Sequence, residues 1–237
     1  MPSNRGAFPA GLCLLALLSS GAIRATELKP PTVKAFQHYE ELTEARIRGE
    51  VVNPETFLFL NTLPESARAK ELARVRNGQI YIRQMSTKDE GGKIEVHDGL
   101  VHHWLAVKFI PNARLEQVLQ VVQDYGHYGE IFKPDVQGCE VLSHEGERFR
   151  VRYRFFRHTI VTVSYNAEFE IEFSCDGPGR MYSFSHAVRI AEIREAGEKE
   201  EREYPVGNDH GYLWRLNFYT RYLQADGAFT FKWNCCR

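Results

Sequence analysis

Between Arg148 and Phe173 the chain keeps a two-residue period almost without interruption. Arg148, Arg150, Arg152 and Arg154 fall on one side, and Phe149, Val151, Tyr153 and Phe155 on the other. Arg157-His158 marks a bend. From Thr159 to Phe173 the pattern resumes, with Val161, Val163, Tyr165, Ala167, Phe169, Ile171 and Phe173 against Thr162, Ser164, Asn166, Glu168, Glu170 and Glu172. Such alternation dictates long antiparallel strands with one wet face and one covered face. The arginine row reads as a solvated sheet face able to pair with Glu168 and its neighbours across strands, or as a site for an anionic headgroup.

The flanking text extends this sheet. Leu100–Ile110, Met181–Ile193 and Tyr212–Leu223 read as further strands, and Asp176-Gly177-Pro178-Gly179 as a turn. Glu195–His210 is acidic and turn-rich, a solvated loop. Helical spacing predicts three helices: Val33–Ile47 with Thr32 as N-cap, Leu63–Arg76 with Pro64 in its first turn, and Arg114–Tyr125. In the last, Leu115, Val118, Leu119 and Val122 make one apolar stripe.

The covered face is rich in aromatics: Tyr153, Phe155, Tyr165, Phe169, Phe184, Trp214 and Phe218. Burying each is worth roughly 1.5–3 kcal/mol, so a helix or a ligand must cover it. The reading is a hydrophobic cavity at Tyr153, Phe155, Tyr165, Phe169, His186, Trp214 and Phe218, taking a hydrophobic small molecule or lipid.

Residues 1–25 read as an address. Arg5 precedes the apolar run Gly11–Ser20, and small residues follow at Ser20 and Ala22. This is the order of a secretory signal peptide, and the run is too short to span a membrane. The expectation is an exported protein, periplasmic or extracellular, starting at Ile23 or Thr26. Cys13 would leave with the leader. Cys139, Cys175, Cys235 and Cys236 allow three complete pairings, while Cys139 and Cys175 in strand text read as small buried hydrophobes.

Thirty basic against 31 acidic residues give a net charge of −1, so nothing marks a nucleic-acid binder. The adjacent His102 and His103 point to opposite sides of a strand. No HExxH, Cys-x-x-Cys, nucleophile elbow, P-loop or dinucleotide fingerprint occurs. No catalytic residue, metal or cofactor is therefore expected.

The stretch Leu115–Val136, LEQVLQVVQDYGHYGEIFKPDV, resembles the START/Bet v 1-like superfamily (SRPBCC), above all its polyketide cyclase/dehydratase-like and coenzyme Q-binding branch. The resemblance rests on a helix ending in Asp124-Tyr125, then Tyr128, Pro134 and Val136, then a strand running to the turn Glu145-Gly146-Glu147. It extends over the strands to about Gln224. It implies an α+β helix-grip fold, in which a curved antiparallel sheet wraps a C-terminal helix and the space between holds a hydrophobic ligand. The division expected is 1–25 signal peptide, 26–98 N-terminal helical extension and first strands, and 99–237 START-like domain. After Asp226-Gly227 the text closes without the family's terminal helix, as a truncated or frame-shifted reading would. The last strand is then expected to be an exposed edge open to self-association. Three functions follow: binding of a lipid-, quinone- or polyketide-like ligand; a cyclase/dehydratase using a cavity His, Tyr or Arg; and a protein–protein adaptor working through the uncovered sheet.

Overall fold

The computed structural model describes residues 26–158, 161–225 and 228–236, with 225 and 228–236 described as backbone alone. The expected signal peptide lies outside the described residues. The chain runs through α1 (Pro30–Val51), α2 (Pro54–Phe57), a 3-10 turn (Phe59–Thr62) and α3 (Glu65–Arg76). Then come β1 (Tyr81–Gln84), β2 (His103–Pro111), α4 (Leu115–Val122) and the short α5 (Tyr128–Ile131). The long strands follow: β3 (Val136–Glu145), β4 (Arg148–His158), β5 (Thr162–Cys175), β6 (Arg180–Arg194), β7 (Asn217–Ala225) and β8 (Ala228–Cys236).

These strands form one antiparallel sheet in the order β1-β2-β8-β7-β6-β5-β4-β3, with the two-residue strand Arg202–Glu203 added beside β6. The sheet is strongly curled. Natural strand twist starts the curl. Register shifts in the β3–β4 ladder and opposite Glu168/Phe169 in the β5–β6 ladder accentuate it. Curled sheet and N-terminal helices together give the expected α+β helix-grip class.

The last strand departs from expectation. β8 pairs with β7 on one side and with β2 on the other, so it is interior and the edges are β1 and β3. A consecutive-hairpin reading puts the last strand at the rim; the curl instead returns the chain to its first long strand.

Cross-strand register sorts every residue to an inner or outer face. Phe169 and Ile171 on β5, Ser183 and Ser185 on β6, and Phe218, Thr220 and Tyr222 on β7 face inward. Phe184 and His186 on β6, with Asn217, Tyr219 and Arg221 on β7, face outward. Both faces are covered here, but by different helices. Outside, α1 and α2 pack Ile47, Val51 and Phe57 on Phe184 and Tyr219. Beside them, Leu58, Phe59, Leu60 and Val75 pack on Leu105 and Val107. Inside, Leu115, Val118, Leu119 and Val122 of α4 pack against the aromatic cluster.

Buried polar groups fix α1 to the sheet. The Tyr39 hydroxyl contacts His103 Nδ1 at 2.8 Å and accepts from the Thr87 amide at 2.9 Å. Arg221, 3% exposed, donates to Glu50 at 2.5 Å and to the Phe57 and Thr56 carbonyls at 2.9 and 3.2 Å. Thr32 is not the N-cap, which is Lys29; its hydroxyl donates to the His97 carbonyl instead. Cys139 is half-buried and Cys175 is exposed, both as free thiols, which corrects the reading of Cys175 as a buried hydrophobe. Cys175 is the last residue of β5, next to the turn.

Candidate functional site

The inner face carries a cleft of about 310 Å³. Its floor is β6 and β7 (Ser183, Ser185, Phe218, Thr220, Tyr222), with Ile171 and Phe173 of β5 beside them. One wall is Tyr153 and Phe155 of β4. The other is the end of α4 and the segment beyond it: Val122, Tyr125, Tyr128 and Phe132. Volume and character fall at the small end of ligand pockets, which are commonly about 300–1,000 Å³ and largely apolar.

Local sequence explains why space exists here. On its inward register β6 reads Ser183, Ser185, Ala187, small side chains set between aromatic-rich neighbours. Large side chains at those positions would fill the volume. The wall is held in place at two points. Tyr128 donates its hydroxyl to the Val122 carbonyl at 2.5 Å, closing the segment after α4. A side chain on Gly129 would meet the Gln137 carbonyl at 3.1 Å, so the residue type lets α5 lie directly on the β3 backbone.

The lining described contains no carboxylate, histidine, lysine or arginine. Its polar groups are Ser, Thr and Tyr hydroxyls. Burial pushes the Tyr222 phenol up to about 12. It raises Tyr125, Tyr128 and Tyr153 further, and their mutual proximity adds to this. All four phenols therefore stay neutral near pH 7 and can donate hydrogen bonds but cannot act as bases. Cys139, packed against the same cluster, is also pushed up to about 12 by burial.

The structure separates the seven residues that the sequence grouped. Tyr153, Phe155 and Phe218 line the cleft. Phe169 lies beneath it, stacked on Phe218 at 5.6 Å and edge-on to Tyr153 at 5.3 Å. Tyr165 faces inward farther along β5, opposite Glu192, and is not in the lining. Trp214 precedes β7 and sits in another hollow, where its indole donates to Asp209 at 2.8 Å. His186 is on the outer face, where its Nε2 contacts Glu44 at 2.5 Å. The error over His186 has a physical source. His186 shares the strand register of Phe184, and α1 covers the outer face on which both lie.

A second constellation was missed. Glu40 and Glu44 of α1 meet His186 of β6, with donor atoms within 4.8 Å of one another. Desolvation raises the Glu40 carboxyl above the usual range. Desolvation also opposes the ionised forms of Glu44 and His186, but their mutual hydrogen bond prevails, lowering Glu44 and raising His186. The only sequence signal was Glu-x-x-x-Glu on a predicted helix, which by itself reads as a solvated stripe.

The arginine row is a solvated ladder of ion pairs. Arg150 and Arg152 both donate to Glu168 at 3.1 Å, Arg148 to Glu172 at 3.1 Å and Arg154 to Glu201 at 2.8 Å.

No family profile and no curated protein matches this sequence. Among solved structures, a STAR-related lipid transfer protein fragment from Xanthomonas axonopodis is 12% identical. The match covers 66% of this chain and 80% of that one, with a TM-score of 0.46. Human STARD10 is 8% identical over 78% of this chain and 71% of that one, with a TM-score of 0.42.

Proposed function

We propose that this chain binds a hydrophobic, lipid-like small molecule in the inner-face cleft, without chemically altering it. The supporting observation is the lining itself, an aromatic and aliphatic surface with a few neutral hydroxyls and no group that ionises near neutral pH among the described residues. An apolar ligand loses little by entering such a site, where the Tyr222 hydroxyl is already hydrogen-bonded to Ser183 and Thr220. General acid–base catalysis needs a side chain whose pKa lies near the working pH. The cleft supplies none, so binding is favoured over cyclase or dehydratase chemistry. Lipid-, quinone- and polyketide-like molecules all meet this description.

The same reading places the protein in the periplasm or outside the cell, on the strength of Gly11–Ser20 and the small residues after it. Among the described residues, no helix is long and apolar enough to cross a membrane. Solvent extraction of the purified protein followed by mass spectrometry tests the binding proposal. A stoichiometric apolar small molecule is expected. A protein that carries none, and takes up none from mixed lipid vesicles, would contradict it.

A further inference from the structure

On the outer face, separated from the cleft by the sheet, two carboxylates and an imidazole converge. Glu40 and Glu44 stand four residues apart on α1, so both project from one side of the helix. His186 comes to them from the middle of β6. We propose that Glu40, Glu44 and His186 bind a divalent first-row transition ion, with Zn²⁺ as the representative, and that the bound ion ties α1 to the sheet.

The donor set selects the class of ion. One imidazole nitrogen with two carboxylate oxygens suits Zn²⁺, Mn²⁺ or Fe²⁺, whereas Ca²⁺ and Mg²⁺ favour all-oxygen shells. Zinc lies about 2.0–2.2 Å from such donors, which places them roughly 3–3.5 Å from each other. The donor atoms already lie within 4.8 Å of one another, so side-chain rotation closes the remainder. Tyr39 and Ile47, both buried, hold this stretch of α1 on the sheet.

The surroundings resemble a supporting shell. Ligating carboxylates are characteristically oriented by outer hydrogen bonds. Here Asn217, 3% exposed, donates to Glu40, and Tyr219, 2% exposed, donates to Glu44 at 2.9 Å. Both donors come from β7, the strand next to His186. Metal binding takes the neutral imidazole and releases its proton, so the ion would meet two carboxylates and an uncharged His186. Two acids face one histidine, and Arg48, which reaches the second Glu44 oxygen at 3.2 Å, is largely in solvent. Arg215 is the other cation acting on Glu40. Access is open, since His186 and Arg48 border a polar cavity of about 600 Å³ on the same face. With an ion bound, His186 Nε2 and Glu44 Oε1 would exchange their 2.5 Å contact for two metal bonds, and Tyr219 would keep its bond to Glu44.

The test is calorimetric titration of the full chain, first stripped with a chelator, with Zn²⁺ alone. One ion per chain is expected, with a melting temperature raised by roughly 5–10 °C at a hundredfold excess over Kd. Glu40→Gln, Glu44→Gln and His186→Ala should each weaken binding tenfold or more, and His144→Ala, an exposed histidine on β3, should leave it unchanged. If His186→Ala fails to fold, the two glutamine variants and a zinc-edge X-ray spectrum of the wild type carry the test. That spectrum should show nitrogen and oxygen neighbours with one imidazole. Sulfur neighbours would assign the ion to the cysteines and overturn the proposal. So would binding that survives the glutamine variants, or no binding at all.

Discussion

Arg221 shows how strongly one residue can hold this fold. It is 3% exposed, and its guanidinium satisfies Glu50 and two carbonyls at the α2 boundary. Glu50 keeps Arg46 at 2.8 Å when Arg221 is removed, but the Thr56 and Phe57 carbonyls lose their donor, at a cost of about 1–3 kcal/mol for each buried group left unsatisfied. Arg221→Met should therefore lose about 3 kcal/mol in urea unfolding at neutral pH; a loss below about 1 kcal/mol would show that water already reaches these carbonyls. Cys139 gives a second residue-level expectation. With its thiol pushed up to about 12, little thiolate exists at pH 8, and the thiolate is the reactive form. Site-resolved mass spectrometry after brief iodoacetamide treatment should find Cys175 modified well before Cys139. Equal rates would mean that the cluster around Tyr125 and Tyr153 opens readily. Residue roles were the least legible part of the sequence. Ser183 and Ser185 create the cleft by being small, but in the text they are two polar letters in an aromatic strand. Which face a residue such as His186 takes depends on which helix packs where, and a period of two does not say that.

At the scale of elements, the text was far more informative. The alternation through β4 and β5 corresponds to the observed ladder residue for residue, from Arg148 opposite Glu172 to Phe155 opposite Tyr165. The apolar stripe of α4 is the one that packs on the cluster. Boundaries moved where tertiary contacts decide them. β7 starts at Asn217 rather than Tyr212, because Trp214 turns aside to Asp209. α1 runs from Pro30 to Val51, its last turn held by Val51 against the sheet. The arginine ladder allows a prediction with a defined sign. Hydrogen bonds from Arg152 and Arg150 lower the Glu168 pKa in the folded state. Its contribution is complete above the unfolded value of about 4.3 and is lost as pH falls through the lower folded value. Glu168→Gln should cost up to about 1 kcal/mol at pH 7, since the pairs are solvated. The gap between variant and wild type should shrink on acidification to about pH 3. A gap that widens in acid would contradict this assignment.

At the scale of the molecule, the sheet separates two jobs. The N-terminal helices cover the outer face through Ile47, Val51, Phe57 and Leu60, and Arg221 and Tyr39 lock them there. The inner face is left to α4, α5 and the cleft. Sequence could foresee a covered aromatic face but not that both faces are covered, because Tyr219 and Phe184 read the same as Phe218 and Phe169 until register is known. It also could not foresee β8 closing onto β2, a pairing between strands more than a hundred residues apart. The central claim, that the inner cleft is a binding site and not simply core, is tested most directly by filling it. Ser185→Phe places a ring in the space between Phe218 and Ile171. Uptake of a fluorescent fatty acid should be measured for this variant and the wild type, with circular dichroism and melting temperature as controls. The account predicts uptake by the wild type and a loss of roughly tenfold or more in the variant at unchanged fold content, since an occupied cleft excludes the ligand. Undiminished uptake by a well-folded Ser185→Phe protein would contradict it.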